Sequence, residues 1–209
     1  MKSLSPYSKY KEDFFYKLNY KFQKNLKILD IGCGDGGDTK IFITKYKLKT
    51  FGIDIFQHQE IRKINNLAFK IGGIYDIPFK ENVFDYVYLH DVLHHIDEKK
   101  QSFMKHKKAL RELKRVCKDN GVIVIVEANR YNPLFYPHMV LINKHNHFTQ
   151  IYFQKLIKSV FKNITMRNFE SHVYPSKFHI IWKFYEMFME KISPRRFRAY
   201  NVAIIKNTK

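Results

Sequence analysis

Cysteine is scarce in this 209-residue chain, which has only Cys33 and Cys117. Two thiols, one in a glycine-rich stretch and one on an expected helix, give neither a disulfide framework nor the ligand spacing of a metal site, so no metal is expected. Long apolar runs are missing too. No segment is apolar over the roughly 20 residues that a bilayer span needs, and the charged, aromatic stretch Met1 to Tyr20 lacks the core of a signal peptide. The expectation is therefore a soluble, cytoplasmic protein. Acidic residues are few, 19 against 38 Lys and Arg, leaving a formal charge of +19. Such an excess admits RNA, phospholipid headgroups or an acidic substrate as partners without choosing among them, and a generally solvated basic surface produces the same count. Internal repeats and low-complexity linkers are also absent. The length suits one well-buried domain and not two comfortable ones.

What is present centres on Ile28-Leu29-Asp30-Ile31-Gly32-Cys33-Gly34-Asp35-Gly36-Gly37-Asp38, an apolar run ending in a glycine-rich turn. It reads as a buried strand that delivers backbone to a nucleotide-like ligand. Gly32, Gly34 and Gly37 satisfy the G-x-G-x-x-G spacing, and Asp54 follows about twenty residues on, where a ribose-binding acid belongs. Spacing alone says NAD. The charges argue otherwise, because Asp30, Asp35 and Asp38 crowd a loop with no Lys or Arg among them and would repel a pyrophosphate. A cationic ligand fits better. S-adenosylmethionine has no phosphate and carries a sulfonium and an ammonium.

The residues resemble the class I S-adenosylmethionine-dependent methyltransferases, particularly the quinone-biosynthesis group. The likeness rests on four stretches in order: Leu29 to Gly36, Gly52-Ile53-Asp54-Ile55, Ile77-Pro78-Phe79 through Asp91-Val92-Leu93-His94-His95-Ile96, and Leu110-Arg111-Glu112-Leu113 with Asn120-Gly121-Val122. It covers about Leu26 to Glu127. It implies that Gly32, Cys33, Gly34 and Gly36 line the methionine part and that Asp30 accepts from the ammonium. Asp54 would accept the ribose hydroxyls and Ile55 cover the adenine. Gly73 stands where the family often has an acid, so the resemblance leaves Ile74 to offer its backbone N–H, with Asp76 either compensating or capping the loop. His90 ends the fourth strand, where the family usually has small or polar residues, and its ring either lines the pocket or points away.

A pass along the chain gives a doubly wound, Rossmann-like α/β fold: a mostly parallel seven-stranded sheet with an antiparallel edge, in a single domain. Residues 1–25 form an N-terminal helical part, with the helix at about 8–23. Residues 26–128 form the cofactor-binding core. In it, strands are expected at about 27–31, 50–55, 68–71, 83–90 and 121–127. Helices are expected at about 38–46, 60–65 and 100–118, the last ended by Asp119-Asn120-Gly121. Residues 129–148, irregular and rich in aromatics and histidine, read as a substrate lid. Residues 149–209 complete the sheet with strands near 164–169 and 200–205. This part opens on a helix capped by Thr149 and stapled by Phe148 against Phe153, and an aromatic helix spans about 178–189.

Methyl transfer from a sulfonium is an in-line displacement, so positioning supplies much of the rate and a base is needed only for some acceptors. His94, His95, His145 and His147 are the candidate bases, each with a structural alternative as a packing, capping or surface residue. Glu127 and Tyr131 stand on the substrate side. Base-amine methyltransferases carry Asp or Asn followed by Pro-Pro and an aromatic where this chain has Leu89-His90-Asp91-Val92, which disfavours methylation of the amino groups of DNA or RNA bases. Cys33 and Cys117 are poorly placed for carbon methylation through a thiol. The favoured reading is a methyltransferase acting at oxygen or carbon of a small-molecule or lipid-like acceptor. Residues 178–198, apolar and then Arg-rich, suit a membrane surface, a lid or a dimer helix. A tRNA or rRNA methyltransferase is the second reading, and a non-catalytic cofactor-binding partner subunit the third.

Overall fold

The computed structural model describes residues 6–173 and 178–209, so the first five residues of the N-terminal part lie outside the described residues. Period-two alternation builds the sheet. In β1 (Lys27–Ile31) and β4 (Phe84–His90), Ile28, Tyr86 and Tyr88 enter one apolar layer, whereas Leu29, Ile31, Val87 and Leu89 enter the other. β2 (Lys49–Asp54), β3 (Leu67–Ile71) and β5 (Cys117–Ala128) extend the parallel array. With β6 (Ile164–Phe169) and β7 (Tyr200–Lys206) the order is β3-β2-β1-β4-β5-β7-β6. β7 runs antiparallel to both of its neighbours, so the expected antiparallel edge pair is present.

The layers hold the site in place. α1 (Pro6–Leu18) and α2 (Gly37–Thr44) cover one face through Phe14, Phe15, Leu18 and Phe42, while α3 (Phe103–Val116) and α4 (Gln150–Lys158) cover the other through Leu110, Leu113, Phe153 and Leu156. Thr149 caps α4 as expected, accepting from the Tyr152 N–H. Phe148 and Phe153 share the core beneath it. The aromatic helix becomes α5 (His179–Lys191), held to α1 by Lys17, which pairs with Glu186 and lies 3.5 Å from Glu190. No described helix is long and apolar enough to cross a membrane.

Two expected boundaries shift, each for a local reason. α1 ends at Leu18 instead of about residue 23 because Asn19 turns left-handed, φ 46°, and donates its N–H back to the Phe15 and Tyr16 carbonyls. α3 ends at Val116, and pairing resumes at Cys117 opposite Phe84 before the register slips, so Asp119-Asn120-Gly121 is a bulge inside β5 and not a helix stop. The segment read as an irregular lid contains a wide helical turn, Tyr136–Ile142, and is pinned at its base where Arg130 N–H donates to the Phe148 carbonyl.

Candidate active site

Strand order reverses between β1 and β4, so the loops after them splay apart and open a crevice at the carboxyl ends of the sheet. Two cavities, of about 280 and 540 Å³, meet there and share Gly32 and Asp91 as walls. Gly32 must be glycine on two counts. Its φ is +66°, and a Cβ would come within 2.5 Å of Val92 Cγ2. Gly36, at φ 82°, is the left-handed N-cap of α2 and lies against Ile64 and Ile61 instead of the cavities, which corrects its assignment as a ligand-lining residue.

The larger cavity is mostly apolar, with Asp54, Asp91 and His95 as its ionisable walls. Asp54 Oδ2 accepts the Gly34 N–H at 2.9 Å and Oδ1 accepts the Ile55 N–H at 2.7 Å. Each oxygen keeps lone-pair capacity for a hydroxyl, so one carboxylate both pins the glycine turn and offers a diol acceptor. Ile55 and Phe56 are 75% and 56% exposed, and with Ile74, Val92 and Ile96 they form the apolar wall of this cavity. Gly72, not Gly73, lines it, and a Cβ on Gly73 would meet nothing.

The smaller cavity is acidic and roofed by α1. Asp30, Cys33, Gly34, Asp35, Asp38, His90 and Asp91 line it together with Tyr7, Tyr10 and Lys11. Asp30 Oδ2 accepts from Thr39 Oγ1 at 2.6 Å; burial, reinforced by neighbouring Asp38, pushes its carboxyl up to about 8. Cys33 is buried, and burial pushes its thiol up, away from reactivity. The loop does not lack a cation, as its own sequence suggests. Lys11 reaches in from α1 and donates to Asp38 Oδ1 at 2.7 Å, while His90 Nδ1 donates to Asp38 Oδ2 at 2.7 Å. Burial resists ionisation of Asp38, but Lys11 and His90 outweigh it and hold its carboxyl well below the usual range. The His90 ring lies flat on Phe14, centroids 4.4 Å apart, and lines the pocket.

Lys11 and Tyr7 escaped the sequence reading, although a signal was present. Tyr7, Lys11, Phe14 and Leu18 fall on one helical stripe, and a lysine inside an apolar stripe marks a buried partner.

Beyond Asp91 the candidate bases assemble. The rings of His94 and His95 are 4.0 Å apart, those of His94 and His147 4.2 Å, and His145 approaches His95 at 5.8 Å. All four histidines named from the sequence therefore meet, though they come from two distant segments. Glu127, expected on the substrate side, is fully buried and contacts the protein instead: its carboxylate accepts from Val92 N–H, Leu93 N–H and His94 Nδ1. It is a positioning residue. Tyr131 is half-exposed against Tyr136 and lines neither cavity, so the structure does not bring it to the site. Burial lowers His94, yet Glu127 outweighs it and the net shift is upward. Burial and His94 lower His95, and the same pair of causes takes His147 down to about 4.

Residues 29–125 match the family model described as a methyltransferase domain. An uncharacterised methyltransferase of Schizosaccharomyces pombe is 36% identical over 138 residues, 58% of this chain and 46% of that protein. Tocopherol O-methyltransferase of Arabidopsis thaliana is 29% identical over 50% of this chain and 30% of its own length. The chain thus spans less than half the length of these relatives. Among solved structures, the partner of the Trm112 methyltransferase activator from Haloferax volcanii superposes with a TM-score of 0.69 at 13% identity, covering 97% of this chain and 94% of that one. Phosphoethanolamine N-methyltransferase 2 of Haemonchus contortus, solved with S-adenosylmethionine, superposes at 0.64 and 16% identity over 95% of this chain and 53% of its own. These relatives do not single out the quinone-biosynthesis group. A glycine turn only glycine can make, a second-strand carboxylate with lone pairs to spare and a domain model matched over residues 29–125 agree: that stretch is similar to methyltransferase domains, and the chain has the fold of solved S-adenosylmethionine-binding methyltransferases.

Proposed function

We propose that this chain transfers a methyl group from S-adenosylmethionine to a hydroxyl or enol carbon of a small-molecule or lipid-like acceptor. The observation that carries this reading is that His95 lines the same cavity as Asp54 and Ile55, so a proton acceptor faces the place where the donor's nucleoside fits. When bound, the donor supplies an electrophilic methyl carbon on a sulfonium. Asp54 fixes the ribose, Ile55 and Phe56 cover the base, and Asp30 receives the ammonium. His95, held below the usual histidine range, is unprotonated at pH 7 and able to take a hydroxyl proton. Asp91, in the left-handed conformation at φ 56° with Oδ1 accepting the Ala128 N–H, orients the acceptor side.

A lipid-like acceptor is supported by α5, whose Ile180, Ile181, Phe184 and Phe188 are exposed and are followed by Arg195 and Arg196. This helix is tied through Lys17 to α1, the roof of the acidic cavity. The reading implies an intracellular protein peripheral to a membrane. The test is incubation of purified protein and methyl-labelled donor with separated RNA, protein, lipid and metabolite fractions. Label in lipid or metabolites is the expected result. Label confined to RNA would move the assignment to the basic surface, and donor binding without any transfer would favour a non-catalytic partner subunit.

Asp30 gives the donor site a pH dependence. Its carboxyl is mostly protonated at pH 7 because burial raises it to about 8, whereas an ammonium beside it favours the carboxylate. Binding therefore releases a proton, and affinity rises with pH until about 8, where the free site is already ionised. Calorimetry at pH 7 in buffers of different ionisation enthalpy should show release approaching one proton for the wild type and much less for Asp30→Asn. Equal release by both proteins would remove Asp30 from the ammonium site.

A further inference from the structure

We propose that Asp91, His94 and His147 form a binding site for one divalent transition-metal ion of the zinc class, at the acceptor end of the crevice. Each side chain offers one ligand atom, and the three atoms lie within 4.8 Å of one another. Bonds of about 2.0–2.1 Å to a tetrahedral ion set ligand atoms roughly 3.4 Å apart, so side-chain adjustments of about an ångström close the set.

Three features point to an occupant. His147 is 5% exposed, and among the described residues its Nδ1 has no hydrogen-bond partner, a state that costs a buried polar atom free energy unless something satisfies it. His94 donates Nδ1–H to Glu127 Oε2 at 2.8 Å, which leaves Nε2 as the atom carrying a lone pair. A carboxylate behind an imidazole is the arrangement that orients metal-bound histidines and raises their basicity. Asp91 is held from the other side, with Oδ1 accepting the Ala128 N–H at 2.7 Å, while Oδ2 lies 3.7 Å from His90 Nε2, outside hydrogen-bond reach, and keeps its lone pairs for a ligand. The donor set contains imidazole and carboxylate without thiolate, which suits zinc, cobalt or nickel. It has too few oxygens for calcium or magnesium.

His94 also belongs to a more exposed set with His95 and His145, which opens to solvent beside Glu98. Because both sets need His94, they hold one ion between them, and the buried set has the unsatisfied nitrogen. One consequence rests on the methyl-transfer reading above. The ion, held by Asp91, His94 and His147, would supply Lewis-acid polarisation of an acceptor hydroxyl, with His95 beside it to take the proton. The O–CH3 bond then forms as the donor's S–CH3 bond breaks, leaving S-adenosylhomocysteine.

The test uses the whole chain, stripped with a chelator and titrated with cobalt(II) and zinc(II) alone. We expect one equivalent of cobalt, visible as the d–d absorption of a four- or five-coordinate ion and displaced by zinc. His147→Ala and Asp91→Asn should each weaken binding at least about tenfold, and Glu127→Gln by about 10–100-fold, while His145→Ala leaves it unchanged. Near-UV circular dichroism identifies any variant that has failed to fold, and the wild-type stoichiometry depends on no variant. Absence of stoichiometric cobalt binding by folded wild type overturns the proposal, as does a loss that follows His145 and spares His147. S-adenosylhomocysteine titrated into the same preparation separates the two readings: its binding without cobalt sinks only the metal, and cobalt binding without it sinks only the donor.

Discussion

Asp54→Ala is expected to weaken S-adenosylhomocysteine binding by about a hundredfold or more, roughly 3 kcal/mol, measured by calorimetry. Two contributions converge. In the proposed donor site the carboxylate accepts both ribose hydroxyls, and a hydrogen bond to a charged acceptor is worth about 1.5–3 kcal/mol. The same oxygens anchor the glycine turn and the start of the next loop by accepting from Gly34 and Ile55, so alanine also frees the backbone that must lie against the ligand. The two can be separated with a ligand lacking a ribose hydroxyl. It should lose affinity for the wild type but little further for Asp54→Ala, because the interaction is already gone. Asp54→Asn, which keeps an acceptor without the charge, should fall between. Unchanged affinity in Asp54→Ala would reject the ribose assignment outright. A loss with both ligands equally would leave the carboxylate as a turn anchor only.

The parts of this molecule that are legible in its sequence are those governed by local periodicity. The alternation in Ile28 to Ile31 and Phe84 to His90 fixes two adjacent parallel strands, and the glycines between Ile31 and Asp38 fix the turn, because both depend on residues within a few positions of one another. Asp54 was legible for the same reason, being one strand further on. Glu127 was legible as a residue at the crevice but not in its role, since the end of a strand does not reveal whether a carboxylate meets ligand or backbone. It is consumed by Val92, Leu93 and His94. The histidine cluster shows the limit differently. His94 and His95 were nameable, as were His145 and His147, yet only the fold of the intervening segment brings the pairs together, and no spacing rule within one segment anticipates a shared metal ion. Lys11 is the sharpest case. Charges counted along the loop favour a cationic ligand, but electrostatics acts through space, and a lysine one helix away changes the sum at Asp38.

Lys11→Met is accordingly the substitution expected to cost the fold most. Lys11 and Asp38 are each about one-tenth exposed and 2.7 Å apart, and removing one member of a buried pair leaves the other charge uncompensated, a loss of about 3–5 kcal/mol. Asp38 retains His90 at 2.7 Å and Tyr88 at 3.2 Å, which places the expectation at the lower end: about 3 kcal/mol, or a fall in Tm of roughly 6–12 °C for a domain of this size. The pH dependence follows from the direction of the shift. Burial opposes ionisation of Asp38, but Lys11 and His90 outweigh it and depress the folded-state pKa. The stabilisation is therefore fully present above the ordinary carboxylate range, about pH 4, and is lost as pH falls through the depressed folded value. The difference in Tm between wild type and Lys11→Met should be full at pH 7 and should shrink in acid. Lys11→Met with Asp38→Asn, which removes both charges and keeps similar volumes, should recover much of the stability. If the double variant is no more stable than the single one, the lysine acts by packing its stem against Tyr7 and Tyr10, whose ring centroids lie 5.4 and 5.6 Å from its ammonium, and the charge pairing assigned to the roof of the cavity is wrong.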